Sequence, residues 1–163
     1  MKKILITGGS GFIGTNLIEH LLKKTDAELL TFDINEPKID SHNRFWKRVD
    51  IREYEELREK IVEYKPDIVI HLAARTDLRG LTLKDYDANM TGVSNLLKAI
   101  DEAGTVQKAV FASSMYVCEP GYMPKDFEDY APHTLYGESK VETERRIKKA
   151  NPSYTWSIIR PTS

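Results

Sequence analysis

The chain has 163 residues, enough for one domain with a sizeable core. Twenty-four Lys and Arg against twenty-five Asp and Glu leave a formal net charge of -1, so no basic field exists for nucleic acid or an anionic membrane surface. The single cysteine, Cys118, excludes an internal disulfide and a cysteine-built metal site, and no metal is expected.

The N-terminus, Met1-Lys2-Lys3, imitates the charged start of a secretory signal. The apolar run Ile4-Leu5-Ile6 is stopped at once by Thr7-Gly8-Gly9, too short for a secretory core. No segment approaches the about 20 apolar residues of a membrane span. A cytoplasmic protein that binds neither membrane nor nucleic acid is expected.

Short apolar runs alternate with helical periods along the whole chain. Lys3 to Thr7 reads as a buried strand running into glycines, and Gly11 to Lys23 as a helix with Phe12, Ile13, Leu17, Ile18, Leu21 and Leu22 at helical spacing. Glu28 to Phe32 is a second strand ending at Asp33, and Phe45 to Val49 a weaker third. Arg52 to Tyr64 is a helix closed by Pro66, and Asp67 to Leu72 a fourth strand. Lys84 to Ala103 reads as one long helix stopped by Gly104, followed by a strand from Val106 to Ala112. A helix from Leu135 to Ala150 is broken by Pro152, and Tyr154 to Ile159 supplies a sixth strand. Such alternation requires right-handed crossovers between parallel strands, which predicts a doubly wound α/β sheet of order 3-2-1-4-5-6 with helices on both faces. No repeat or linker divides it, so residues 1–163 are expected to form one domain.

Thr7-Gly8-Gly9-Ser10-Gly11-Phe12-Ile13-Gly14 joins the first strand to the first helix. Gly8 permits the tight turn, Gly11 lets the backbone approach a pyrophosphate, and Gly14 allows close packing of helix on sheet. The helix N-terminus turns unpaired N–H groups and a positive dipole end toward the phosphates. Ser10, Phe12 and Ile13 fill the same loop. Asp33 ends the second strand, 19 residues beyond Gly14. A carboxylate there accepts both ribose hydroxyls of an adenosine and repels a 2′-phosphate, which favours NAD over NADP. Taken alone, Asp33 also suits an ordinary surface turn.

Tyr136-Gly137-Glu138-Ser139-Lys140 sets a phenol and an amine four residues apart on one helical face. A phenol near pKa 10 is a poor base, and an adjacent ammonium favours the phenolate. Tyr136 is therefore expected to take a proton from a substrate hydroxyl while Lys140 holds the nicotinamide ribose. Ser114, after the fifth strand, stands at the carboxyl edge where open α/β sheets bind ligands, and its hydroxyl suits both an alcohol and a ketone. Chance pairs of this kind are common on helices, and Ser113-Ser114 also suits a plain turn. The joint placement of all three carries the reading.

These residues resemble the extended short-chain dehydrogenase/reductase family. Its hallmarks read here as TGGSGFIG at 7–14, Asp50-Ile51, His71-Leu72-Ala73-Ala74, Asn89, Ser113-Ser114, YGESK at 136–140 and Arg160-Pro161, in the family's order. The resemblance implies a Rossmann fold and a catalytic set of Ser114, Tyr136 and Lys140. It implies that Asp50 and Ile51 flank the adenine and that Leu72, Ala73 and Ala74 wall the cofactor. Asn89 is implied to steady its helix and the site behind it. His71 suits a packed strand end and is given no catalytic role, and Arg75 and Arg79 suit a solvated loop more readily than a phosphate contact.

Within the family the chain is most similar to the NAD-dependent nucleotide-sugar epimerases, the UDP-galactose 4-epimerase group. That implies a UDP-sugar substrate, oxidation and re-reduction at one sugar carbon, and a homodimer through the helices 84–103 and 135–150. The related dehydratases carry an Asp-Glu pair after the catalytic Ser or Thr. Here those positions hold Met115 and Tyr116, which disfavours that chemistry. The family's Val-Tyr-Gly appears as Val117-Cys118-Glu119, either a changed pocket or a tolerated loop. Family members run to about twice this length. The chain is therefore expected to lack the substrate lobe and to expose apolar surface that promotes self-association. Two further readings stay open: an NAD-binding module without turnover, and an NAD-dependent reductase or dehydrogenase of a non-sugar alcohol.

Overall fold

The computed structural model describes residues 1–162, and Ser163 lies outside the described residues. Strands β1 (Lys3–Thr7), β2 (Glu28–Asp33), β3 (Trp46–Arg48), β4 (Ile68–His71), β5 (Lys108–Ala112) and β6 (Thr155–Ile159) form one parallel sheet of order β3-β2-β1-β4-β5-β6. Helices α1 (Phe12–Lys24), α2 (Tyr54–Tyr64), α3 (Asp87–Ala103) and α4 (Leu135–Ala150) make the crossovers. The predicted Rossmann-type order is the observed one.

The centre of the sheet is buried on both faces, which explains why β1 reads as a continuous apolar run. Leu5, Val69 and Ala109 lie side by side across β1, β4 and β5 and pack with Leu57, Ile61, Val93, Leu96 and Ile100 from α2 and α3. Ile4 and Ile6 point the other way, onto Ile18 of α1. Helix stops follow backbone chemistry: Lys65, Gly104 and Asn151 end α2, α3 and α4 in the left-handed region. No helix among the described residues is long and apolar enough to cross a membrane.

Several boundaries depart from expectation, among them the fifth strand, which starts at Lys108 rather than Val106, and three have a local cause. The third strand contracts to Trp46–Arg48, because β2 offers it only the register from Thr31 to Asp33. The predicted helix from Lys84 starts instead as a 3-10 turn, Leu83–Tyr86, and becomes α-helical at Asp87. A Thr82–Asp85 capping box fixes that turn, and the buried Tyr86 donates its hydroxyl to the Asp77 carbonyl at 2.8 Å. The helix from Arg52 starts at Tyr54, because the Asp50 carboxylate accepts the Arg52 backbone N–H at 2.9 Å and holds the chain in a turn. Two 3-10 turns, Asp40–Arg44 and Met115–Val117, had no periodicity to announce them.

Candidate functional site

The carboxyl ends of β1, β2, β4 and β5 open onto one cleft of about 1150 Å³. Gly8, Ser10, Gly11, Phe12, Ile13, Gly14, Asp33, Asp50, Ile51, Leu72, Ala73, Ala74, Ser114, Tyr136 and Lys140 all line it. Residues from the first strand to the last helix thus meet at the edge where open α/β sheets take ligands.

The glycine loop follows from sterics. Gly8 has φ +78°, and a Cβ there would lie 2.5 Å from the Ala73 nitrogen. A Cβ on Gly14 would lie 2.3 Å from the Gly8 carbonyl oxygen, so only glycine lets α1 start this close to β1. Gly11 differs: its Cβ would meet only the Gly8 oxygen, at 3.3 Å. Its constraint is therefore the space in front of the backbone rather than the protein behind it. Helix α1 begins with no side-chain cap and no acidic residue in its first turn, which leaves its dipole uncompensated toward the cleft. Phe12 is 78% exposed at this mouth.

Asp33 accepts the Ser10 backbone N–H and the Asn35 N–H, each at 3.0 Å, while the Ser10 hydroxyl donates to the Asn35 carbonyl at 2.8 Å. It thereby ties the glycine loop to the turn after β2. Asp50 forms an ion pair with Arg52 at 2.6 Å, and that hydrogen-bonded guanidinium holds the carboxyl below its ordinary range. Ile51 packs where a Gly92 Cβ would fall, 2.4 Å from its Cδ1, so the α3 backbone backs this wall.

At the other end, Thr134 caps α4 by accepting the Gly137 N–H at 3.0 Å. A Cβ on Gly137 would lie 2.3 Å from the Tyr116 carbonyl oxygen, so glycine lets the 3-10 turn press against the helix start. Ser114 caps that turn by accepting the Tyr116 N–H at 3.2 Å. The Tyr136 ring packs edge-on against Tyr116 at 5.7 Å and lies 6.2 Å from Tyr86. Burial raises the Tyr136 phenol above its ordinary value, while the Ser114 hydroxyl pulls the other way by hydrogen bonding.

The expected electrostatic help from Lys140 is absent from this geometry. The Lys140 ammonium donates to the Ala112 carbonyl at 2.7 Å, at the end of β5, and does not offset the burial of Tyr136. Burial brings Lys140 down to about 8, with Glu144 acting in the opposite sense.

Asn89 stands behind the cleft rather than on its lining. Its amide donates to the Arg75 carbonyl at 3.0 Å and to Ser139 at 2.9 Å, and its oxygen accepts the Arg75 N–H at 2.8 Å. It brackets the loop after β4 to α4. His71 is buried, shares a 2.6 Å hydrogen bond with Thr7, and is held near pKa 3 by burial and then by the Lys140 charge. It is neutral packing. Arg75 pairs with Asp77 at 2.8 Å, while Arg79 stays exposed in the same loop.

Two residues of this region went unread in the sequence: Tyr116, which walls the phenol, and Glu144, buried one turn beyond Lys140. Glu144 sits at i+8 from Tyr136 and i+4 from Lys140, so the stripe that identified the pair also passes through it.

The fold and cleft define a dinucleotide-binding α/β domain of the Rossmann type. The NAD dependent epimerase/dehydratase family model matches residues 4–163, and the chain belongs to that family. It is 35% identical over 177 aligned residues to a UDP-glucose 4-epimerase of Neisseria meningitidis serogroup C, covering 98% of this chain and 51% of that protein. A 3-beta-hydroxysteroid dehydrogenase of Mycolicibacterium neoaurum is 30% identical over 93% of this chain and 44% of its own length. The crystal structure of the Thermus thermophilus UDP-glucose 4-epimerase in complex with NAD superposes with a TM-score of 0.80 at 29% identity, covering 97% of this chain and 54% of that one. The chain spans about half the length of the curated relatives it matches.

Proposed function

We propose that this chain is the NAD-binding part of a nucleotide-sugar epimerase, with a UDP-sugar as substrate. One observation carries the reading: the glycine loop, Asp33, Ser114, Tyr136 and Lys140 line a single cleft. The relatives named as UDP-glucose 4-epimerases support the substrate class. The loop fits a dinucleotide, because Gly11 is exposed on the cleft lining where a diphosphate needs to approach, while Gly14 is buried against the Gly8 carbonyl.

In this reading the N-terminus of α1 faces the diphosphate, and Asp33 takes the adenosine ribose hydroxyls. Asp50, Ile51, Leu72, Ala73 and Ala74 wall the dinucleotide, and Asn89 holds that wall to α4. NAD, when bound there, would supply reversible hydride acceptance at the sugar carbon. Ser114 orients the sugar hydroxyl, and Tyr136 accepts its proton and gives it back. Burial opposes, and the Ser114 hydroxyl favours, the phenolate form in which Tyr136 accepts that proton, its own proton having first gone to solvent. Lys140 holds the nicotinamide ribose. The self-association surface is the outer face of α3 and α4.

Titration with NADH and NADPH tests the cofactor assignment. Saturable binding with a clear preference for NADH is expected, and a folded chain that binds neither overturns it. In the full-length protein, Tyr136→Phe is expected to keep NAD and lose epimerisation of UDP-sugars. Undiminished turnover removes Tyr136 from its role. A second reading, an NAD-dependent dehydrogenase of a non-sugar alcohol, is favoured by the steroid dehydrogenase relative. Oxidation of a sterol and not of a UDP-sugar distinguishes it.

A further inference from the structure

Helix α4 carries two buried charges one turn apart, and the reaction above uses only one. Lys140 is 2% exposed and Glu144 is 1% exposed. The Glu144 carboxylate accepts three hydrogen bonds: from Arg160 Nε at 2.8 Å, Arg160 Nη2 at 2.8 Å and the Tyr130 hydroxyl at 2.9 Å. Such a bidentate guanidinium fixes both the position and the ionised state of a carboxylate. Arg160 follows β6, donates to the Phe127 carbonyl at 2.7 Å and lies over the Phe127 and Tyr130 rings. Groups from the end of β6 and from the loop before α4 thus hold Glu144 at one point on the helix.

Lys140 has no such set. Its ammonium meets the neutral Ala112 carbonyl. The titratable groups acting on it are Glu144, one turn further along α4, and His71 of β4; Tyr136 shares its helix face without a hydrogen bond to it, and the end of β5 contributes the Ala112 carbonyl. His71 is neutral and Tyr136 protonated at neutral pH, which leaves Glu144 as the negative charge acting on Lys140. A buried lysine without a counter-charge falls to a pKa of about 5–6 and is neutral under the same conditions.

We infer that Glu144 is a positioning residue: held by Arg160 and Tyr130, it is the counter-charge that keeps Lys140 an ammonium at the floor of the cleft. Arg160 keeps that carboxylate ionised against the cost of its burial. The inference rests on the dinucleotide reading for the purpose of Lys140 but not for its charge.

The test follows the Lys140 Cε signal by NMR across a pH titration of lysine-labelled chain, assigned by its loss in Lys140→Arg. Wild type is expected to titrate near 8. A wild-type midpoint below about 6, the range of an uncompensated buried lysine, overturns the inference. Folded Glu144→Gln is expected to lower the midpoint by at least about one unit, a tenfold loss in proton affinity. Arg160→Gln, which removes the guanidinium that keeps Glu144 ionised, is expected to lower it as well. A general loosening of the fold moves both variants up toward the solvent value near 10 and cannot produce a fall. An unchanged or rising midpoint in folded Glu144→Gln overturns the inference. NADH titration of the same wild-type sample separates the two ideas: no binding with a midpoint near 8 refutes the cofactor reading and supports the role of Glu144.

Discussion

Two glycines of the loop are expected to fail in different ways when each receives a single methyl group. At Gly8 the left-handed backbone costs an L-residue about 1–2 kcal/mol. The new Cβ, 2.5 Å from the Ala73 nitrogen and 2.6 Å from the Leu72 carbonyl carbon, meets backbone that has no rotamer to change. Overpacking of that kind adds about 1–3 kcal/mol, for a total of about 2–5 kcal/mol. That is a large share of the about 5–15 kcal/mol that stabilises a domain. With a urea slope of about 2 kcal/mol per molar, the unfolding midpoint of Gly8→Ala should fall by about 1–2.5 M. At Gly11 the backbone conformation is ordinary, φ −72°, and the only atom within 4 Å of a Cβ is the Gly8 oxygen at 3.3 Å. Gly11→Ala should therefore cost about 1 kcal/mol, from that tight contact and a poorer N-cap residue, well below Gly8→Ala. Its methyl group instead occupies the space facing the cleft, and NADH affinity should drop more than about tenfold, or 1.4 kcal/mol. Urea unfolding followed by circular dichroism and NADH fluorescence titration read the two quantities separately. Wild-type NADH affinity in Gly11→Ala would refute the cradle, and a wild-type midpoint in Gly8→Ala would refute the steric argument.

Asp33→Asn keeps an acceptor for the Ser10 N–H but loses the charge, so NADH should bind about tenfold more weakly, as expected for one lost charged hydrogen bond, and the preference over NADPH should shrink. An unaltered ratio of the two affinities sinks the assignment. His71 is held near pKa 3 in the folded chain, against 6.5 for the free side chain. Only the unfolded state takes up its proton between those values, so its share of stability is complete above pH 6.5 and is lost progressively down to pH 3. Urea midpoints should fall across that window by at most about 1.4 kcal/mol per pH unit from this group, and more shallowly in His71→Asn; parallel profiles refute the account. The groove between the outer faces of α3 and α4 is lined by Leu97, Arg145, Lys149 and Tyr154. Sedimentation should show a dimer that Arg145→Glu weakens, and a monomer at high concentration removes that surface.

The features legible in the sequence are those decided by local geometry. Gly8 and Gly14 announce a turn and a close approach because no other residue survives there, and β1, buried on both faces, shows itself as an unbroken apolar run. The sheet order follows because each strand-helix-strand unit admits one handedness. The illegible features depend on where long side chains end. Spacing put Lys140 on the same face as Tyr136, but it carries no information on the path of four methylenes, and these lead the ammonium to the Ala112 carbonyl instead of the phenol. The expected lowering of Tyr136 consequently gives way to a raised value set by burial.

Glu144 shows the same limit from the other side. In LYGESKVETERRIKKA three glutamates look equally solvated, but Glu138 is exposed, Glu142 half-buried and Glu144 buried. Its burial depends on Arg160, a residue 16 positions away that arrives only when β6 pairs with β5. Desolvating a carboxylate is costly unless its lone pairs are met, and here three donors from two separate segments meet them. A charge that the fold buries at such cost, one turn from the lysine of the cleft, is best explained by what it does to that lysine. Removing either partner of the Glu144–Arg160 pair should therefore disturb the ionisation of Lys140 before it disturbs the sheet.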